Sequence, residues 1–252
     1  MAVGSGADSW IVRPRPSQSA RVRLFCFPFA GGGASGFRAW QGLLPDTIEV
    51  CAVQLPGRET RIREPALTRM DGLVSSLTEA LAPSLSPPYA LFGHSLGALV
   101  AFELARSLRR HGLPMPVQLL LSGHGAPQLP DMRLHIHKLP QADFLRELAR
   151  YHGTPRPVLE SRELMEILSP TLRADFAALE TYRFVPEPPL DLPISVFGGT
   201  QDPEVRPEQL EAWREQTNAG FRVRLFPGGH FYLHEELIEV LTAVQEDIGE
   251  YV

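Results

Sequence analysis

YALFGHSLGALVAFELA, residues 89–105, changes character at its middle. Residues 89–92 are an apolar run that reads as a strand, and the segment from Leu96 onward reads as a helix. Gly93, His94, Ser95, Leu96 and Gly97 join the two with no spacer, giving G-x-S-x-G in the strand–turn–helix setting it requires. So tight a turn puts Ser95 into strained backbone angles and lifts its hydroxyl clear of the sheet. Gly93 and Gly97 must lack side chains, because strand and helix pass too close there for a Cβ. The new helix aims its first N–H groups at the same spot, where negative charge is stabilised. Ser95 is the expected nucleophile; the plainer reading is a buried serine in a glycine-rich turn.

The flanking sequence repeats the alternation of strand and helix. Residues 21–29, 49–55, 88–94, 117–123, 192–199 and 221–227 read as strands, several of them nearly unbroken apolar runs. Such runs suit strands covered on both faces of a parallel sheet. Helical patterns fall at 70–82, 96–111, 207–216 and 233–248. The expectation is a single α/β domain over residues 1–252, with a mostly parallel, doubly wound sheet. Residues 125–189 break the rhythm, with helical patterns at 141–151, 161–168 and 172–182 and with Pro155, Pro157 and Pro170 as punctuation. A helical insertion of that kind forms a lid over the ligand-binding end of the sheet more often than an ordinary crossover.

A serine hydroxyl needs a base, and in this arrangement the partners follow in the order Ser, Asp or Glu, His. His230 comes just past the last strand, after a Gly-Gly loop, at the edge where Ser95 sits. Asp202 lies in the loop after the penultimate strand and is preferred to Glu204, while Asp191 falls at the wrong end of its strand. His94 should point away from the hydroxyl, and His135 and His137 read as surface or lid packing. His230 and His234 have a spacing open to a metal, but no third ligand follows, so no metal is expected.

The serine also needs an oxyanion hole of two backbone N–H groups. Leu96, next after the nucleophile, supplies one. The loop FAGGGASGF, residues 29–37, supplies the other, with Ala30 preferred and Gly31 second. Gly31, Gly33 and Gly36 formally match the G-x-G-x-x-G of dinucleotide folds. Pro28 interrupts that pattern, and the next strand ends Val53, Gln54, Leu55, Pro56, Gly57, without the required carboxylate.

Hydrophobic residues make up 44% of the chain and charged residues 21%, with a net charge of −5, so neither nucleic acid nor an anionic membrane is indicated. The N-terminus lacks a signal-like apolar core and no segment reaches the length of a membrane span, so a cytoplasmic protein is expected. Cys26 and Cys51 lie in apolar runs and read as two buried thiols rather than a disulfide.

The stretches FPFAGGGAS, QLPGRETR, LFGHSLGALVAFELAR, LSGHGAP, GGTQDPEV and PGGHFYL, taken in order, give the chain its resemblance to the type II thioesterases. These are stand-alone α/β-hydrolases that accompany polyketide and nonribosomal peptide synthases. The resemblance implies an α/β-hydrolase fold with a helical lid, Ser95, Asp202 and His230 as triad, and Ala30 and Leu96 as oxyanion donors. It implies hydrolysis of acyl groups from the phosphopantetheine arm of acyl or peptidyl carrier proteins. That arm belongs to the partner, so no enzyme cofactor is expected; a monomer is. Arg58, Arg61, Arg63 and Arg69 could steer an acidic carrier protein, or could be a solvated loop balanced by Glu59 and Glu64. A medium-chain fatty acyl thioesterase, a carboxylesterase and a non-catalytic binding module are the alternatives.

Overall fold

Apolar runs become strands here because both faces of the sheet are covered. The computed structural model describes residues 9–86, 88–130 and 134–251. The expected strands form as β2 (Val22–Phe27), β3 (Ile48–Val53), β4 (Tyr89–His94), β5 (Gln118–Ser122), β6 (Ile194–Gly199) and β7 (Phe221–Phe226). A two-residue strand, β1 (Ile11–Val12), adds to the edge and was too short to leave a pattern. The sheet order is β1-β3-β2-β4-β5-β6-β7, with β1 antiparallel to β3 and the other pairings parallel.

Successive side chains alternate between two cores. Phe25 and Phe27 pack on the side of α2 (Met70–Leu81) and α3 (Leu96–Arg110). Leu24 and Cys26 pack on the opposite side, with Trp40 of α1 (Trp40–Leu43) and Val240 and Val244 of α9 (Leu237–Asp247). Residues 96–108 are all buried, so α3 is enclosed nearly all round. Cys51 and Cys26 fall in different cores and stay free thiols, and burial pushes the Cys51 thiol up to about 12.

Strand order reverses between β2 and β4. Ligands bind in such sheets at that crevice, beyond the carboxyl ends of the strands. Phe27 pairs with Gly93, so the glycine loop leaving β2 and the serine turn leaving β4 emerge side by side.

The 125–189 interval carries α4 (Gln141–Arg150), α5 (Arg156–Glu160) and α6 (Arg162–Glu180), and no strand among its described residues. Two separate helices are expected on either side of Pro170, yet α6 runs straight through it. Pro170 is exposed, so the Glu166 carbonyl deprived of its N–H partner lies on the solvent side. Met165, Ser169, Leu172, Phe176 and Leu179 bury the other side and hold both halves in line. The pattern at 233–248 shows the reverse: it divides at Glu236 into α8 (Tyr232–Glu235) and α9. Residues 207–216 likewise become α7 (Pro207–Glu211) followed by a 3-10 turn.

Candidate active site

Ser95 sits between β4 and α3 at φ 56°, ψ −116°, a conformation unfavourable for a residue with a Cβ. The turn is locked by the Ser95 N–H, which donates to Ser122 O at 2.7 Å. A Cβ on Gly97 would lie 2.1 Å from Phe27 O, and one on Gly93 would lie 2.0 Å from Gly97 O. Glycine at both positions is therefore a matter of contact between backbones.

His230 and Asp202 meet at the carboxyl edge of the sheet. Gln201 N–H donates to Gly228 O at 2.9 Å, and Thr200 N–H to Phe226 O at 2.8 Å, which draws the two loops together. His230 Nδ1 then donates to Asp202 Oδ2 at 2.8 Å, leaving Nε2 as the basic nitrogen. Asp202 Oδ1 accepts the Glu204 N–H at 2.8 Å, and the Asp202 side chain is completely buried. Glu204, the fallback acid, thus orients Asp202 through its backbone. Phe231 stands edge-on to the His230 ring, at 5.2 Å between centroids and 88° between planes.

In the glycine loop, the Ala30 and Gly31 N–H groups meet different surroundings. Gly32 N–H closes a turn onto Phe29 O at 2.9 Å, and Gly31 takes φ 80°, which the third position of a type II turn demands. Gly31 N–H donates to Asp175 Oδ2 at 2.7 Å and is unavailable to a substrate. Among the described residues, no protein acceptor takes the Ala30 or the Leu96 N–H. Leu96, opening α3, has no partner within its own helix. Ala30, Ser95 and His230 line one pocket, with Phe176 and Leu179 of α6 on its far wall. That cavity is about 30 Å³, and each water needs on the order of 10–15 Å³. Ser95 and His230 line this pocket without a hydrogen bond between them.

Behind the imidazole lies a polar chain that carried no sequence signal. His94 Nδ1 and Ser122 Oγ are 2.9 Å apart, and Ser122 Oγ and the Tyr232 hydroxyl 2.5 Å. Burial holds the His94 imidazole well below its ordinary value. In the unfolded chain it takes a proton below about pH 6.5, while the folded protein keeps it neutral. Stability is expected to drop as pH falls from about 6.5 toward the depressed folded-state value, by up to about 1.4 kcal/mol per pH unit from this group. His94→Asn should flatten that slope in urea unfolding between about pH 6.5 and 5.5; an unchanged slope counts against the argument.

The arginine stretch after β3 is neither wholly a steering surface nor wholly a solvated loop. Arg58 is buried against Asp175, and Arg61 is buried between Glu64 Oε2 at 2.5 Å and Gln54 O at 2.9 Å, over the Trp10 ring. Arg69 pairs with Asp71, and Arg63 is exposed. Two of the four charges are internal ties, which spacing along a loop could not reveal. Among the described residues, no three His, Cys, Asp or Glu side chains converge as a metal site, and no helix is long and apolar enough to cross a membrane.

The thioesterase domain family matches residues 22–249. The chain is 44% identical over 237 residues to the gramicidin S biosynthesis protein GrsT of Aneurinibacillus migulanus, covering 94% of this chain and 93% of that protein. It is 43% identical over 246 residues to a protein of Brevibacillus parabrevis named linear gramicidin dehydrogenase LgrE, with 96% and 94% covered. BorB, a type II thioesterase from the borrelidin biosynthetic cluster, superposes with a TM-score of 0.88 at 36% identity, over 98% of this chain and 100% of that one.

Proposed function

Because the chain belongs to the thioesterase domain family and is a thioester hydrolase of α/β-hydrolase fold, we propose that it clears acyl or peptidyl groups from the phosphopantetheine arms of carrier proteins in polyketide or nonribosomal peptide synthesis. The observation that carries this reading is one pocket lined by Ser95, Ala30 and His230, with Asp202 on the far side of the imidazole. His230 Nε2 takes the Ser95 proton as Oγ attacks the thioester carbonyl. The tetrahedral oxyanion is held by the Ala30 and Leu96 N–H groups. The C–S bond breaks and the pantetheine thiol leaves with the proton returned by His230. A water, deprotonated by His230, then attacks the acyl-Ser95 ester and releases the free acid and Ser95. The phosphopantetheine stays with the carrier protein. Phe176 and Leu179 of α6 border this pocket, so α6 acts as part of a lid over Ser95.

A nicotinamide reaction, as the name of one relative would suggest, is poorly served here. The Gly31 N–H that would face a pyrophosphate is already bonded to a carboxylate. The test is hydrolysis of one acyl group presented on a carrier protein, on pantetheine and as a p-nitrophenyl ester. The carrier-bound thioester is expected to have kcat/KM at least about tenfold above the oxygen ester, a difference of about 1.4 kcal/mol. Equal or faster turnover of the oxygen ester would favour a carboxylesterase.

A further inference from the structure

The lid helix α6 stands on the glycine loop through a buried ion pair. Arg58, in the loop after β3, donates from Nη1 and Nη2 to the two oxygens of Asp175, each at 2.7 Å. Their side chains are 6% and 3% exposed. Asp175 Oδ2 also accepts the Gly31 N–H at 2.7 Å, and Arg58 Nη1 donates to Gly32 O at 3.0 Å. Behind them, Gln54 Nε2 donates to Arg58 O at 3.0 Å while Gln54 Oε1 accepts the Ala34 N–H at 3.1 Å. The Thr171 hydroxyl, one turn earlier on α6, donates to Gly57 O, and Leu172 fills the space over Gly31.

The turn that presents Ala30 is thus gripped at the two residues after it, by a pair of which one member belongs to α6. We propose that Arg58 and Asp175 are positioning residues for the oxyanion hole. They fix the Gly31 and Gly32 peptides, so that the Ala30 N–H is aimed beside Ser95 only when α6 is seated. The proposal rests on the reading of Ser95 and Ala30 given above. Stability alone accounts poorly for the pair, because the desolvation of two buried charges offsets most of their attraction. A well-packed apolar pair of similar volume would hold α6 about as firmly. It could not accept the Gly31 N–H or donate to Gly32 O.

The test is the double variant Arg58→Met/Asp175→Leu, measured beside Asp175→Asn, which keeps the shape. Loss of one oxyanion donor costs about 10²–10³ in kcat, so a misaimed donor should cost about 10–100-fold. The expected result for the double variant is that loss in kcat on a short acyl-pantetheine, with KM within about threefold, while Asp175→Asn, whose amide oxygen can still accept the Gly31 N–H, should lose less. Affinity for a trifluoromethyl ketone analogue, whose hemiketal oxyanion needs the donors, should fall by a similar factor. Affinity for the unreactive thioether analogue should hold. The double variant is expected to melt near the parent temperature. Retained kcat in the folded double variant, or parallel losses for ketone and thioether, would overturn the proposal. Ser95→Ala, run alongside, tests the underlying reading separately: activity surviving there removes that reading whatever the pair does.

Discussion

Ser95→Ala is expected to lower kcat on an acyl-pantetheine by about 10⁴–10⁶-fold and to abolish labelling by a fluorophosphonate, with the fold intact. Alanine keeps the Cβ and accepts the same seat at φ 56°, ψ −116°, so the backbone turn has no reason to relax. The Ser95 N–H bond to Ser122 O and the backbone contacts at Gly93 and Gly97 involve no Oγ. Under the proposed mechanism, what remains is an oxyanion hole and a binding pocket without a nucleophile, which still gives some rate above water. Activity within tenfold of the parent would remove Ser95 from the mechanism. The measurement is thiol release under saturating substrate, with circular dichroism to confirm the fold.

Asp202→Asn should cost about 10⁴-fold in kcat, the size of effect a wrong imidazole tautomer produces in a serine protease triad. The surroundings dictate which way the amide turns. At Oδ1 the Glu204 N–H requires an acceptor, so the asparagine oxygen belongs there. Its NH₂ group is then left facing His230 Nδ1, 2.8 Å away in the parent. Two donors cannot share that contact, so His230 must carry its proton on Nε2, where it cannot act as a base toward Ser95. With the Asp202 side chain wholly buried, no solvent is present to relieve the conflict. A loss smaller than tenfold would mean that Glu204 or water can take over.

Charge is poorly legible along this chain. Arg58 and Arg61 stand in a polar, glycine-containing stretch and invite a surface interpretation, yet both are buried. Arg58 finds its partner 117 residues away, on a helix whose continuity the sequence argued against. Exposure of a long charged side chain depends on what packs over its stem, and no local pattern carries that information. Pro170 misled for a related reason. Its local preference for a break is overridden by buried side chains on both sides of it, gathered by contacts remote in sequence.

What the sequence alone determined is whatever short-range sterics enforce. Strands covered on both faces must be apolar throughout, and a strand turning at once into a helix must have glycines where the backbones touch. The strained turn at Ser95, and the loops that bring Asp202 and His230 to the same edge of the sheet, could be read from seventeen residues and two later loops. Only the tertiary structure decided which of the Ala30 and Gly31 N–H groups is left without a protein partner among the described residues. That choice rests on Asp175 reaching across from α6 to occupy Gly31 and leave Ala30. Two adjacent amides are chemically equivalent along the chain, and only a partner brought from elsewhere in the fold makes them different.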